Sequence, residues 1–274
     1  MIIDSHQHFW KYNPLKNSWI DESMKIIQKD FLPKDLKSIL EINKVDGCIA
    51  IQTDQSEEET RFLLQCAEKN PFIKGVVGWV NLREDDVEER LEFFSKNKLL
   101  KGVRHIVQAE KKDFVLRKDF KNGISKLEQF GLIYDILIFP HQLESVIALV
   151  NKFPNQKFVL DHLAKPNIKD SKIENWSVLI KALAKAPNVF CKISGMVTED
   201  DLEHWKPSNF APYLDVIFNT FGIDRVMYGS DWPVCLLAAG YTQQFSIIKD
   251  YISKFSKEEK AKILGNNAIH IYNL

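Results

Sequence analysis

Met1-Ile2-Ile3-Asp4-Ser5-His6-Gln7-His8-Phe9-Trp10 opens the chain and carries two signals at once. Ile2 to His8 reads as a strand, and alternation along a strand puts His6 and His8 on one face. Two imidazoles converging at a strand end are what a metal pair requires. The same kind of unit recurs outward from this segment. Runs rich in β-branched residues return at Val45 to Thr53, Ile73 to Leu82, Lys101 to Val107, Leu132 to Phe139, Lys157 to His162, Val189 to Ser194 and Arg225 to Gly229. With the first they make eight, starting about 32 residues apart on average, the length of one βα unit with a parallel crossover.

Cys48-Ile49-Ala50-Ile51 and Ile136-Leu137-Ile138-Phe139 are continuously apolar, as expected of strands covered on both faces. The segments between the runs have helical spacing. Pro33 leads Leu36, Ile39 and Leu40; Leu143, Val146, Ile147 and Val150 follow the fifth run, and Phe245, Ile248 and Ile252 the eighth. Ser56-Glu57-Glu58-Glu59 has the form of a capping box before Phe62, Leu63, Cys66 and Ala67. A second box, Ser256-Lys257-Glu258-Glu259, opens a terminal helix that Gly265 is expected to close. The alternation predicts one domain over 1–274, an α/β protein built as a (β/α)8 TIM barrel, in preference to an open doubly wound sheet. The first strand lacks the glycine-rich phosphate loop that most often occupies the open sheet.

With 274 residues, 45% of them apolar and 27% charged, the chain can build a core without a metal or disulfide to hold it. Lys and Arg number 37, as do Asp and Glu, a balance that argues against nucleic acid as a partner. Cys48, Cys66, Cys191 and Cys235 form no C-x-x-C pair, which favours reduced thiols in a cytosolic setting. The opening residues lack the pattern of a signal peptide, and no stretch approaches the roughly 18 apolar residues of a membrane span. A cytoplasmic protein with no membrane partner is the expectation.

Barrel chemistry gathers where strands end. The fourth run ends in Gly102-Val103-Arg104-His105 with Gln108 just beyond, and the fifth in Phe139-Pro140-His141. The sixth ends in Asp161-His162-Leu163-Ala164-Lys165-Pro166, the seventh in Cys191-Lys192-Ile193-Ser194-Gly195, and the eighth in Gly229-Ser230-Asp231-Trp232-Pro233. Singly, each has a plain explanation: a salt bridge for Arg104, a helix cap for His141, a satisfied core histidine for His162, a solvated Lys165, a turn for Asp231. Lys192 interrupts a buried run, where an ammonium needs a partner or a substrate. The distribution is harder to explain by packing. Of seven histidines, His6, His8, His105, His141 and His162 stand at strand ends and only His204 and His270 do not. Together with Asp231 they point to hydrolytic or related polar chemistry on a small molecule.

These residues resemble the amidohydrolase superfamily, through H-x-H on strand one, histidines on strands five and six, and Asp231 on strand eight. The resemblance is closest to its sugar-acid lactonases, those of L-fuconolactone, L-rhamnonolactone and sulfomuconolactone. It runs through Asp4 to Trp10, Gly102 to Gln108, Leu160 to Pro166, Cys191 to Gly195 and Gly229 to Val234. It implies a metal on His6, His8 and Asp231, with Asp231 also activating water, and catalytic roles for His162 and His141. Arg104, His105, Gln108, Lys165, Lys192 and Trp232 would grip the substrate. Many members bridge two metals with a carboxylated lysine at the end of strand four. Arg104 and His105 stand there in this chain and Lys101 lies at the strand's start, so the resemblance implies one zinc or none.

The reaction implied is opening of a small sugar-acid lactone to the aldonic acid. A metal-dependent decarboxylase of the same superfamily and a noncatalytic sugar-acid-binding barrel are the alternatives. The connection from Phe9 to Leu32, with Trp10, Tyr12, Trp19 and Asp21, is expected to wall the pocket. Family relatives often associate, so a homo-oligomer is compatible, though no segment specifies its interface.

Overall fold

The computed structural model describes residues 1–274. Eight parallel strands form one sheet in chain order: β1 (Ile3–Gln7), β2 (Gly47–Ile51), β3 (Ile73–Gly78), β4 (Leu100–His105), β5 (Ile133–Ile136), β6 (Phe158–Leu160), β7 (Val189–Ile193) and β8 (Val226–Tyr228). Each falls within, or one residue outside, the run that predicted it. Helices α1 (Pro33–Asn43), α2 (Glu57–Lys69), α3 (Val87–Ser95), α4 (Lys118–Ile124), α5 (Leu143–Lys152), α6 (Glu174–Leu183), α7 (Pro207–Phe221) and α8 (Tyr241–Tyr251) follow the strands in turn. Two short helices, α9 (Lys257–Ala261) and α10 (Asn267–Tyr272), end the chain. The expected TIM barrel is what forms.

The barrel closes between β1 and the segment after β8. Asp231 N–H donates to the His6 carbonyl at 2.8 Å, His8 N–H to the Trp232 carbonyl at 2.7 Å, and Ser5 Oγ to the Tyr228 carbonyl at 2.6 Å. The backbone of His6, His8 and Asp231 is thus the seam itself, which ties the geometry of those side chains to closure of the sheet.

Strand phase within β1 is set by an irregularity. Asp4 pairs with Cys48 but Gln7 pairs with Ala50, so β1 carries one more residue than β2 over that interval. Such a bulge switches the facing of later residues. Ile3 packs inside the barrel below it, while His6 and His8 face the interior above it. In an uninterrupted strand Ile3 and His6 would face opposite ways.

Inside the barrel, Ile3, Val77, Ile133, Val159 and Met227 make an apolar floor, closed from beneath by Ile271 and Tyr272 of α10. Fully burying each such side chain stabilises the fold by about 1.5–3 kcal/mol. Two helix-end readings change in detail. Ser56 caps α2 by accepting from Glu59 N–H, but the Glu59 carboxylate reaches back to Thr53 and Asp54 rather than to Ser56. Gly265 does not end the last helix. It sits in one wide turn, Lys262–Asn266, leading into α10, where a Cβ would lie 2.1 Å from the Met1 carbonyl oxygen. Ser256 and Glu259 form the full box expected of them.

Candidate active site

Five predicted side chains meet at the mouth of the barrel: His6, His8, Arg104, His162 and Asp231, each no more than 5% exposed. His6 Nε2 and His8 Nε2 are 3.2 Å apart. Asp231 Oδ1 lies 3.3 Å from His8 Nε2 and 3.8 Å from the Nε2 atoms of His6 and His162. The tautomers follow from the partners of the other ring nitrogens. His6 Nδ1 is 3.2 Å from the Asp161 carboxylate and His8 Nδ1 is 2.8 Å from the Ile51 carbonyl, and both partners accept only. Nδ1 is therefore the donor on each ring, which turns the Nε2 lone pairs toward each other.

Two lone pairs and a carboxylate oxygen converging without a shared proton describe a cation site. Zinc bonds of about 2.0–2.1 Å in a tetrahedron put neighbouring ligands about 3.3–3.4 Å apart. His6, His8 and Asp231 come close to that spacing, and their donor chemistry suits zinc. His6 and His162 also share space with Asp161, but Asp161 Oδ1 already accepts from His6 Nδ1, which makes it an orienting partner of the kind metal-bound histidines use.

Electrostatics sort the acids from the bases. Burial alone pushes the Asp231 carboxyl up, but the three surrounding imidazoles, His162 foremost, outweigh it and hold the group well below the usual carboxylate range. Burial pushes His162 down to about 4 despite the pull of Asp231, so it is neutral at neutral pH. His6 is likewise driven well below its usual value, chiefly by burial and against the pull of Asp161. The site therefore presents an ionised carboxylate beside neutral imidazoles.

His162 arrives there on unusual backbone. Residues 162 to 165 all have left-handed conformations, with φ of 52°, 55°, 60° and 51°, and none is glycine. Such backbone costs roughly 1–2 kcal/mol per residue. Its surroundings hold it: Leu163 and Ala164 are fully buried, and the Leu163 carbonyl accepts the Trp176 indole N–H at 2.8 Å. Ser194 Oγ fixes the His162 ring through Nδ1 at 2.9 Å. Gly195 makes room for it, since a Cβ there would lie 2.6 Å from that nitrogen.

Arg104 reaches across the interior. Its guanidinium donates to the Asp161 carboxylate at 3.0 Å and to the Gln52 carbonyl and side-chain oxygen, with Nη1 3.4 Å from His6 Nε2. Lys165 stands half-buried at the rim, paired with Glu199 at 3.1 Å and lying over the Phe139 ring. Gln108 is also half-buried there, with its Oε1 enclosed and unpartnered.

Four of the predicted residues lie elsewhere. His141 is exposed, stacked on Phe139, because Pro140 ends the run and starts a turn away from the interior. His105 follows Arg104 and so takes the opposite phase, facing the helices, where it bonds Glu110 at 3.1 Å and stacks on Phe114. Lys192 lies inside the barrel but is fully buried, its ammonium held by Asp135 at 2.5 Å and Asp161 at 3.1 Å, so it answers a partner rather than a substrate. Trp232 is 1% exposed and packs against Phe9 and Phe31.

The connection after β1 forms a wall through its own aromatics. The Trp10 indole donates to the Lys29 carbonyl at 2.8 Å and packs on Trp19 and Phe31. Phe9, Trp10 and Asn17 line a cavity of about 230 Å³ with Asp54 and Glu59 beyond the ends of β1 and β2, and none of the five residues at the mouth lines it.

Asp161 and Asp135 are the members that sequence reading passed over. Both hold the inward phase of their strands, Asp161 two residues past Val159 and Asp135 two past Ile133, and that phase was the available signal.

A parallel eight-stranded barrel with a strand-one His-x-His pair meeting a strand-eight aspartate at its C-terminal mouth is a barrel of the metal-dependent hydrolase type. The amidohydrolase family pattern matches residues 3–274, and the chain belongs to that family. It is 36% identical over 287 residues to an L-fucono-1,5-lactonase of Burkholderia multivorans, covering 99% of this chain and 96% of the relative. It is 31% identical to an L-fucono-1,5-lactonase of Burkholderia ambifaria, covering 99% and 95%. A crystal structure of an amidohydrolase from Burkholderia multivorans with bound zinc superposes with a TM-score of 0.97 at 35% identity, covering 100% of this chain and 99% of that one.

Proposed function

We propose that this protein hydrolyses a small sugar-acid lactone, of the L-fuconolactone or L-rhamnonolactone kind, to its aldonic acid, a reaction of carbohydrate metabolism. The observation that carries the reading is the Asp231 carboxylate set 3.3–3.8 Å from the Nε2 atoms of His8, His6 and His162 at the barrel mouth, in a chain matched from end to end by curated lactonases. Asp231 takes a proton from water as the water oxygen bonds to the lactone carbonyl carbon. Arg104, whose Nη1 borders His6, supplies positive charge near the developing oxyanion. Collapse breaks the bond to the ring oxygen, which takes the proton back from Asp231 and leaves as the sugar hydroxyl. His162, fixed by Ser194, stands beside Asp231 with its Nε2 3.8 Å from the carboxylate. A zinc ion held by His6, His8 and Asp231 would supply Lewis-acid stabilisation of the carbonyl oxygen. Lys165 with Glu199 offers polar contacts for sugar hydroxyls at the rim.

The decarboxylase alternative is less supported, because the whole-chain curated relatives bear lactonase names. The test is a panel of aldonolactones followed by acid release, with carbon dioxide release from hydroxybenzoates and calorimetric binding of aldonic acids run alongside. Acid release from an L-fucono- or L-rhamnonolactone is expected. Gas release without lactone opening, or binding without turnover, overturns the proposal.

A further inference from the structure

Beneath the mouth lies a line of buried charges that the reaction above does not use. Tyr272, on the helix under the floor, donates its hydroxyl to Asp135, whose two oxygens both lie 2.8 Å away. Asp135 accepts from Lys192, Lys192 reaches Asp161 at 3.1 Å, and Asp161 accepts from His6 Nδ1 and from Arg104. The Lys192 ammonium also sits 5.3 Å from the centre of the Tyr272 ring. Tyr272, Asp135, Lys192 and Asp161 are all 1% exposed or less. The line therefore runs unbroken from the C-terminal helix to the ring nitrogen behind the candidate zinc site.

As a stability device this arrangement is poor. Buried ion pairs often contribute no more than apolar residues of the same volume. As an orienting device it fits, because each charge fixes the next, and the last bond decides which nitrogen His6 turns to the mouth. We propose that Tyr272 is a positioning residue that, through Asp135, Lys192 and Asp161, holds the His6 ring with Nε2 facing the mouth. Burial raises the Asp135 carboxyl to about 6 against the pull of Lys192, so losing the tyrosine hydroxyl weakens its hold on Lys192. Lys192 then shifts against Asp161, and the His6 hydrogen bond loosens.

The inference rests on the lactonase reading only for its effect on turnover, so the test uses zinc affinity by calorimetry and ¹⁵N spectra of the histidine rings in the full chain. Groups that directly orient a metal-bound histidine typically account for about 10–100-fold in affinity. Asp161→Asn is expected to fall in that range. Tyr272→Phe, further along the line, is expected to weaken zinc by about threefold to tenfold and to move the His6 ring signals. Asp135→Asn supplies the same readouts should the tyrosine variant fold poorly. Ile271→Ala, on the same helix and part of the apolar floor rather than of the hydrogen-bonded line, is expected to lower Tm and leave zinc affinity and the His6 signals unchanged. The proposal is overturned if Tyr272→Phe and Asp135→Asn leave both readouts unchanged, or if Ile271→Ala moves them equally. A wild type that opens no lactone, with the zinc and ring effects intact, sinks the lactonase reading and leaves this one standing.

Discussion

Histidines at the ends of β4 and β5 and those at the ends of β1 and β6 stand in similar places along the chain but do different things. His6, His8 and His162 face the mouth and surround Asp231, whereas His105 packs among the helices and His141 lies in solvent. Backbone phase makes the difference. At β4 the inward position belongs to Arg104, leaving His105 outward; after β5, Pro140 turns the chain before His141 can enter. At β1 a bulge re-aims both histidines, and after β6 a left-handed turn re-aims His162. A chemically apt residue at a strand end is therefore only half of a site.

The sharpest contrast is in turnover. Asp231→Asn is expected to lower kcat for the best lactone by about 10²–10⁴-fold, the range for losing a general base. A loss under tenfold would mean that the β1/β6/β8 side does not carry the chemistry.

The next effect is on stability. Lys192→Met leaves the buried Asp135 carboxylate with no cation, only the Tyr272 hydroxyl, and should cost about 3–5 kcal/mol in urea unfolding. Lys165→Met, at the solvated rim, should cost no more than about 1 kcal/mol. Equal losses would erase the distinction between interior and rim lysines.

A pH contrast follows in size. His162 is held neutral in the folded chain down to about 4, while in the unfolded chain it protonates near 6.5. Between those values the unfolded state binds more protons, so the stability that His162 contributes falls as pH falls, by about 1.4 kcal/mol per unit. His162→Asn lacks this term and accepts left-handed backbone. The gap between wild type and variant should therefore move in the variant's favour between pH 6.5 and 4.5; a constant gap would contradict the burial of His162 as a neutral ring.

The smallest effects belong to the outward pair. His141→Ala should leave kcat/KM within about twofold of wild type, since its ring is exposed and stacked on Phe139 away from the mouth. His105→Leu should likewise spare turnover while losing about 0.5–1.5 kcal/mol of stacking against Phe114. A larger kinetic loss in either would restore the β4/β5 side to the site.

The barrel was legible because its signals are periodic. Eight apolar runs at regular intervals place the strands, and Pro33, Ser56 and Ser256 place helix starts where they are found. That His6, His8, Arg104, His162 and Asp231 stand at strand ends was legible, and the fold brings them together. His105, His141 and Trp232 lie away from the mouth, and periodicity does not reveal a proline turn or which phase faces inward. Lys192 was recognised as needing a partner, but that partner could be named only once β5 and β6 lay beside it. The extra residue in β1 leaves no mark in Asp4-Ser5-His6-Gln7, because the signal for a bulge lies in the pairing and not in the segment.

The left-handed turn over 162 to 165 also bears on redesign of the specificity of this barrel. Libraries that randomise the rim will find these positions nearly closed: valine, isoleucine, threonine and proline are poorly tolerated at such φ values, and glycine would loosen the support of His162. Phe139, which faces Lys165 from the neighbouring strand end, has an ordinary extended backbone with φ of −94°. Variation concentrated there, and at Glu199, would explore new sugar contacts while leaving the costly segment intact.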